Sequence, residues 1–314
     1  MEKDFTSSCF FSDNERYADI INGIGCEGIP FVKGKDLQEM DTKINLGRFM
    51  RRGGKGKKSL YRDLLRKTSF GINFAIIGIE NQEEIDYALP LRVLCYDVGE
   101  YEKQAVQIRR KIRREGMGLE GNMSSGEYLY GFKKNCRLFP TVTFILYYGE
   151  KEWDGAKDLH GLLDFSDIPK ILKEKISNYR IHVVEVRKLK NTEIFKTDVK
   201  QVFDFIRFSK DKKKLRELVT GDKAYETLAE EACDMVLAYA GEKEMFRIKE
   251  KYKKAGKVNM CQGLREWMED ERAGGEERFA SLTESLIKGG RMDDLLRAAT
   301  DKQYREILFR ELKL

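Results

Sequence analysis

Histidine is nearly absent from this chain of 314 residues: His160 and His182 are the only two. Zinc hydrolase sites, copper sites and histidine relays each need several imidazoles, so those chemistries are largely excluded. His160 falls in a polar turn and His182 at the start of a strand pattern, and neither takes a role. Two tryptophans and four prolines are similarly sparse. The six cysteines, Cys9, Cys26, Cys95, Cys136, Cys233 and Cys261, form no Cys-x-x-Cys pair, which reads as reduced structural thiols rather than a zinc knuckle or redox couple. No long apolar run occurs; the longest, Phe74 to Ile79 and Thr141 to Tyr148, are far too short to span a bilayer. Met1-Glu2-Lys3-Asp4-Phe5 lacks the basic-then-apolar build of a secretory signal, so a reducing cytoplasm and no membrane partner are expected.

Charge of one sign is lacking as well. Fifty-nine basic and 53 acidic residues leave only +6, although 36% of the chain is charged. Position therefore carries the information. Between Arg48 and Lys67 nine basic residues surround one acid, Asp63. The centre of this run, Arg51-Arg52-Gly53-Gly54-Lys55-Gly56-Lys57-Lys58, is rich in glycine but has no Walker Gly-Lys-Ser/Thr. Arg51, Arg52, Lys55, Lys57, Lys58, Arg62 and Lys67 are candidates to grip nucleic-acid phosphates, and a solvated loop is the plain alternative. Arg109 and Arg110 begin a second basic run that ends at Arg114.

The hydrophobic pattern predicts a short helix after Asp13 and Asn14 with Tyr17, Ile20, Ile21 and Ile24 on one face. The match of Gly23 to Gly28 to a dinucleotide fingerprint follows a helix rather than a strand, so it reads as a helix end. Leu60 to Arg66 and Ile72 to Ile79 read as a hairpin turning at Thr68 to Gly71. A long helix beginning near Glu83 to Asp86, with Pro90 in its first turn, follows. Its predicted apolar stripe is Tyr87, Leu91, Leu94, Val98, Tyr101, Ala105, Ile108 and Ile112. Thr141 to Tyr148 and Ile181 to Val186 read as further buried strands, and short helices are expected over Asp158 to Leu163 and Ile168 to Ile176. Strand and helix alternation predicts an α/β domain over residues 1–210, and residues 211–314 read as a charged helical region broken at its glycines.

Phosphodiester chemistry needs a divalent cation to neutralise developing charge and activate water, and hard cations accept few carboxylates and a carbonyl. The hairpin supplies such a set: Asp63 on the first strand and Glu80 at the end of the second. An antiparallel pairing leaves them a few positions out of register, to be closed by twist or a bulge. Glu80 and Gln82 share a face if the strand continues.

The ordered series Arg16-Tyr17-Ala18-Asp19, Ile77-Gly78-Ile79-Glu80-Asn81-Gln82, Ile85 to Leu94, Tyr96-Asp97, Tyr101, Gln104, Pro140 to Thr143, Tyr147-Tyr148-Gly149, Trp153-Asp154-Gly155 and Phe195-Lys196-Thr197-Asp198 resembles the recombination-promoting nuclease (Rpn) and transposase branch of the PD-(D/E)XK nuclease superfamily. The resemblance covers most of residues 10–240. It implies a restriction-endonuclease-like core, a mixed central sheet flanked by helices, with a helical C-terminal region. It implies Mg²⁺, with Mn²⁺ as a substitute, held by Asp63, Glu80 and the Asn81 carbonyl. Gln82 stands where the superfamily has lysine; an amide orients water but brings no positive charge, so Lys67, Arg92 or a second metal would compensate. Glu15, with Asp19 as the competing choice, would serve as a further acid. Tyr101 and Gln104 would face the active site or DNA. The expected function is Mg²⁺-dependent DNA endonuclease activity in recombination, mobile elements or defence. A nuclease-fold DNA-binding or assembly protein without cleavage and an RNA nuclease are the alternatives. A homodimer through the C-terminal helices is a further expectation.

Overall fold

A computed structural model of the chain describes residues 3–45, 59–61, 64–79, 85–115, 123–240 and 245–312. The chain divides into two compact units, 1–218 with 229–241, and 219–228 with 242–314, where the sequence suggested one boundary near 210. The architecture is mixed α/β.

The first unit opens on α1 (Lys3–Phe10), which the sequence reading did not anticipate, and α2 (Asn14–Ile20). Asp13 caps α2 by accepting the Glu15 and Arg16 backbone N–H groups, each at 2.9 Å. Tyr17, Ile20 and Ile21 of the expected face are fully buried. A π-helical turn, Ile21–Gly25, ends the segment. Its glycines are set by close approach: a Cβ on Gly23 would lie 2.4 Å from the Phe195 ring and one on Gly25 2.7 Å from the Phe144 ring.

Strands β1 (Leu37–Glu39), β2 (Lys43–Asn45), β3 (Ser59–Tyr61), β4 (Leu64–Thr68) and β5 (Asn73–Ile79) follow. Then come α3 (Leu89–Glu115), α4 (Ser125–Tyr130), β6 (Thr141–Tyr147), α5 (Lys170–Lys173), β7 (His182–Glu185), α6 (Val199–Phe208) and α7 (Lys212–Gly221). The main sheet has the order β1-β4-β5-β6-β7. β4 pairs antiparallel with β1 and β5, and β6 runs parallel to β5 and β7. The expected hairpin is present from Leu64 onward, where Leu64 faces Ile76, Lys67 faces Asn73 and Gly71 turns it at φ 93°, but Leu60 and Tyr61 of its expected first strand pair with β2 instead. β2 and β3 form a separate antiparallel pair.

Helix α3 carries Pro90 in its first turn, as predicted, but begins at Leu89 rather than near 83–86, and its most buried face is rotated from the expected stripe, of which only Ala105 is buried. Leu89, Val93, Tyr96, Asp97, Glu100, Gln104 and Ala105 are buried, whereas Tyr87, Leu91 and Val98 of the expected stripe are exposed. For Asp97 the cause is polar satisfaction. Asp97 accepts a 2.8 Å bond from the Thr143 hydroxyl on β6 and another from the Tyr179 hydroxyl, so an acid sits comfortably inside. Leu89, Val93 and Tyr96 pack with Ile145, Tyr147, Trp153 and Ile181.

After β8 (Leu228–Ala229), helix α8 (Glu230–Ala240) packs on α1 and α6 within the first unit. The second unit holds α9 (Met245–Tyr252), an antiparallel ribbon of β9 (Lys253–Lys254) and β10 (Lys257–Val258), α10 (Met260–Lys288), α11 (Met292–Thr300) and α12 (Lys302–Leu312). Gly274 and Gly275 lie inside α10 instead of breaking it, while Gly289 and Gly290 do end it. Leu282, Leu286, Ala298, Leu308 and Phe309 form the core of α10, α11 and α12. All six cysteines are free. No described helix is long and apolar enough to cross a membrane.

Candidate functional site

Because β5, β6 and β7 are parallel, their carboxyl ends, Ile79, Tyr147 and Glu185, share one edge of the sheet. The antiparallel β4 begins toward that edge with Leu64, which faces Ile76, three residues short of Ile79. Loops diverge at the carboxyl ends of parallel strands, which makes this edge the usual place for a ligand. In sequence Asp63 precedes Leu64 and Glu80 follows Ile79. Asp63, Glu80, Asn81 and Gln82, together with Arg51, Arg52, Lys55, Lys57, Lys58 and Arg62, lie outside the described residues.

The described side chains at this edge are acidic and ion-paired. Arg92 Nη1 meets Asp86 Oδ2 at 2.8 Å, and the buried Arg92 Nε has no hydrogen-bond partner among the described residues. The Tyr87 hydroxyl donates to Asp154 at 3.3 Å, and this bond to a carboxylate pushes the phenol's pKa up. Glu185 accepts the Trp153 backbone N–H at 3.1 Å and stands 3.3 Å from Lys188. Lys188 also reaches Glu152 at 2.6 Å; that contact raises the pKa of the ammonium and lowers that of the carboxylate. Burial pushes the Tyr147 phenol up as well. Asp86, Asp154 and Glu185 received no role from the sequence and Tyr87 only a place in the apolar stripe, although Asp86, Asp154 and Tyr87 fall within the motif runs quoted above. Among the described residues no three His, Cys, Asp or Glu side chains converge as a metal-ligand group.

The remaining expected site residues lie elsewhere. Glu15 is exposed on α2 beside Gly34, where an added Cβ would meet its Oε1 at 2.5 Å. Asp19 is buried and accepts from the Lys196 and Thr197 backbone N–H groups and the Thr197 hydroxyl at 2.7–2.9 Å, a saturated structural tie. Tyr101 and Gln104 sit at the amino end of β6. The Tyr101 hydroxyl accepts from Thr141 N at 3.1 Å, and Gln104 exchanges two hydrogen bonds with the Phe139 backbone. Lys67 joins them there, its ammonium 4.3 Å above the Phe139 ring. These three are thus about 20 Å, the length of a seven-residue strand, from the carboxyl edge. Arg109 pairs with Glu102 at 3.3 Å, and Arg110 is exposed further along α3.

No family model, curated protein or solved structure matches the chain.

Proposed function

We propose that the chain is a Mg²⁺-dependent DNA endonuclease of the PD-(D/E)XK type, with Asp63 and Glu80 as its metal ligands. One observation supports this above others: Asp63 and Glu80 are the sequence neighbours of Leu64 and Ile79, which lie toward the open end of one central hairpin, three residues out of register with each other, near the carboxyl edge of the sheet. The helix, antiparallel strands, helix and parallel strand that precede and follow this hairpin agree with the mixed central sheet that the motif resemblance implies. Two carboxylates and the Asn81 carbonyl are hard oxygen donors suited to Mg²⁺. Bound there, the ion would supply charge neutralisation and acidify a water. Gln82 would orient that water through its amide, and Arg51, Arg52, Lys55, Lys57, Lys58 and Arg62 would hold the phosphate backbone. Backbone contact implies weak sequence preference and steep salt dependence. Recombination, mobile elements or defence against foreign DNA is the biological setting this reading carries.

The test is Mg²⁺-dependent nicking of supercoiled plasmid. Loss of a metal ligand should cost roughly a thousandfold in rate. Nicking unchanged in both Asp63→Ala and Glu80→Ala proteins would reject the site. Gln82 in place of lysine favours a second reading, a DNA-binding protein without cleavage; salt-sensitive binding with no nicking under any divalent metal would establish it.

A further inference from the structure

We infer that α4, the segment 131–139 and the C-terminal half of α3 form a binding platform for single-stranded DNA, at the opposite end of the sheet from the acid edge. This inference takes DNA as the ligand from the proposed function but does not depend on cleavage.

Three observations carry it. First, Tyr128, Leu129 and Tyr130 are 80%, 73% and 72% exposed, and no residue of α4 is buried. The helix is nevertheless held at both ends. Ser124 and Glu127 form a reciprocal capping box, Gly131 closes the other end at φ 60°, and Glu127 also accepts the Lys134 backbone N–H at 2.8 Å. Hydrogen bonds, not burial, fix this helix, so its aromatic rings are presented on an anchored frame.

Second, the segment after α4 runs back along α3. A Cβ on Gly131 would lie 3.6 Å from Arg109 Cγ, and eight residues later Phe139 is doubly bonded to Gln104. Gln104 marks the amino edge of the sheet, and the eleven residues from it to Glu115 overhang that edge by about 16 Å.

Third, the charge is strongly positive, and the nearby carboxylates Glu102 and Glu127 are already engaged, by Arg109 and by Ser124 and Lys134. Residues 103–114 carry six cations and 128–144 three, with no carboxylate in either stretch. Arg110, Arg113 and Arg114 are exposed, and Gln107, Arg110, Lys111 and Arg114 line one recess.

Exposed rings on a cationic surface are what a single strand requires: phosphates meet the cations and unpaired bases stack on the rings. A duplex hides its base faces, and a cationic protein partner would be repelled.

The test measures anisotropy of a labelled oligothymidylate, an abasic strand of the same length and a duplex, all in EDTA. Changing Tyr128→Ala and Tyr130→Ala together should weaken oligothymidylate roughly ten- to a hundredfold and leave the abasic strand unchanged. Phe at both positions should restore binding. Arg110→Ala with Arg114→Ala should weaken both single strands and reduce the salt slope. Tyr128→Trp should give an emission that oligothymidylate quenches. The inference is overturned if the double alanine protein binds oligothymidylate like the parent, if it loses the abasic strand equally, or if the rings instead mediate self-association seen by sedimentation. Because EDTA removes the cleavage step, a protein that binds as expected but never nicks plasmid refutes the nuclease reading alone; one that nicks yet ignores the tyrosine changes refutes this inference alone.

Discussion

Arg16 donates Nε and Nη2 to the two carboxylate oxygens of Asp198, both at 2.8 Å, across 182 residues of sequence. The guanidinium also stacks on Phe10 at 4.5 Å. Burial works against its charge, but the Asp198 fork outweighs that and raises the pKa. Asp19, one turn further along α2, accepts from Lys196 and Thr197, so one helical turn is fastened twice to the segment that enters α6.

Arg16→Ala should therefore destabilise the first unit by roughly 2–4 kcal/mol, since it removes a part-buried bidentate pair and leaves Asp198 uncompensated. Arg16→Lys should recover less than half, lacking the planar fork. Urea midpoints followed by circular dichroism decide this, and equal midpoints for all three proteins would refute it.

The two acids of α2 should separate. Asp19→Asn exchanges an oxygen that accepts for an amide that cannot, against two backbone donors, and should cost roughly 1–3 kcal/mol. Glu15→Gln, on an exposed position, should move stability by less than about 0.5 kcal/mol. If Glu15→Gln slows nicking while stability holds, Glu15 works on the reaction; if Asp19→Asn slows it only in proportion to unfolded protein, Asp19 is a tie.

Gln82→Lys should raise the nicking rate, on the order of tenfold, by adding the charge that an amide lacks. A lower rate at saturating Mg²⁺ would show that the amide is the better partner for the water.

Residues 1–210 alone should not fold like the first unit. Helix α8 buries Ala232, Cys233, Met235 and Val236 completely and packs on α1. Losing that burial should cost roughly 5 kcal/mol or more, whereas a chain ending at 241 keeps it. A cooperative urea transition with the same midpoint in both chains would contradict this.

Acid should loosen the end of the second unit. Asp294 accepts from the Tyr304 hydroxyl and Arg291 Nε, each at 2.5 Å, and these bonds hold its pKa below the ordinary carboxylate value. The stabilisation is complete above the unfolded carboxylate's pKa and disappears as pH falls through the depressed folded value. The melting temperature of the parent should fall in that acid window by more than that of Asp294→Asn; parallel curves would exclude the effect.

Much of this was legible in the sequence. The hairpin turn at Gly71, the strands at Thr141 and His182, and the buried Tyr17, Ile20 and Ile21 follow from periodicity and turn chemistry, whereas the parallel pairing of those strands, and the half-buried rather than buried state of the second, do not. The buried face of α3 did not, because periodicity counts apolar residues and cannot see that Thr143 and Tyr179 make Asp97 welcome inside. Gln104 and Tyr101 were read as facing a ligand; their partners, Phe139 and Thr141, lie some forty residues away and leave no local trace. Arg16 and Asp19 stood in one quoted motif and Lys196 to Asp198 in another, yet nothing in either showed that the two meet.

That meeting has a consequence for how the chain assembles. The α2 fastening waits for residues 196–198 and the α1 packing for residues 230–240, so on a ribosome the first sixteen or so residues emerge long before their partners. Native closure of the sheet unit thus depends on contacts of large sequence separation, which slows the search and leaves α1 without its α8 partner until residues 230–240 have been made.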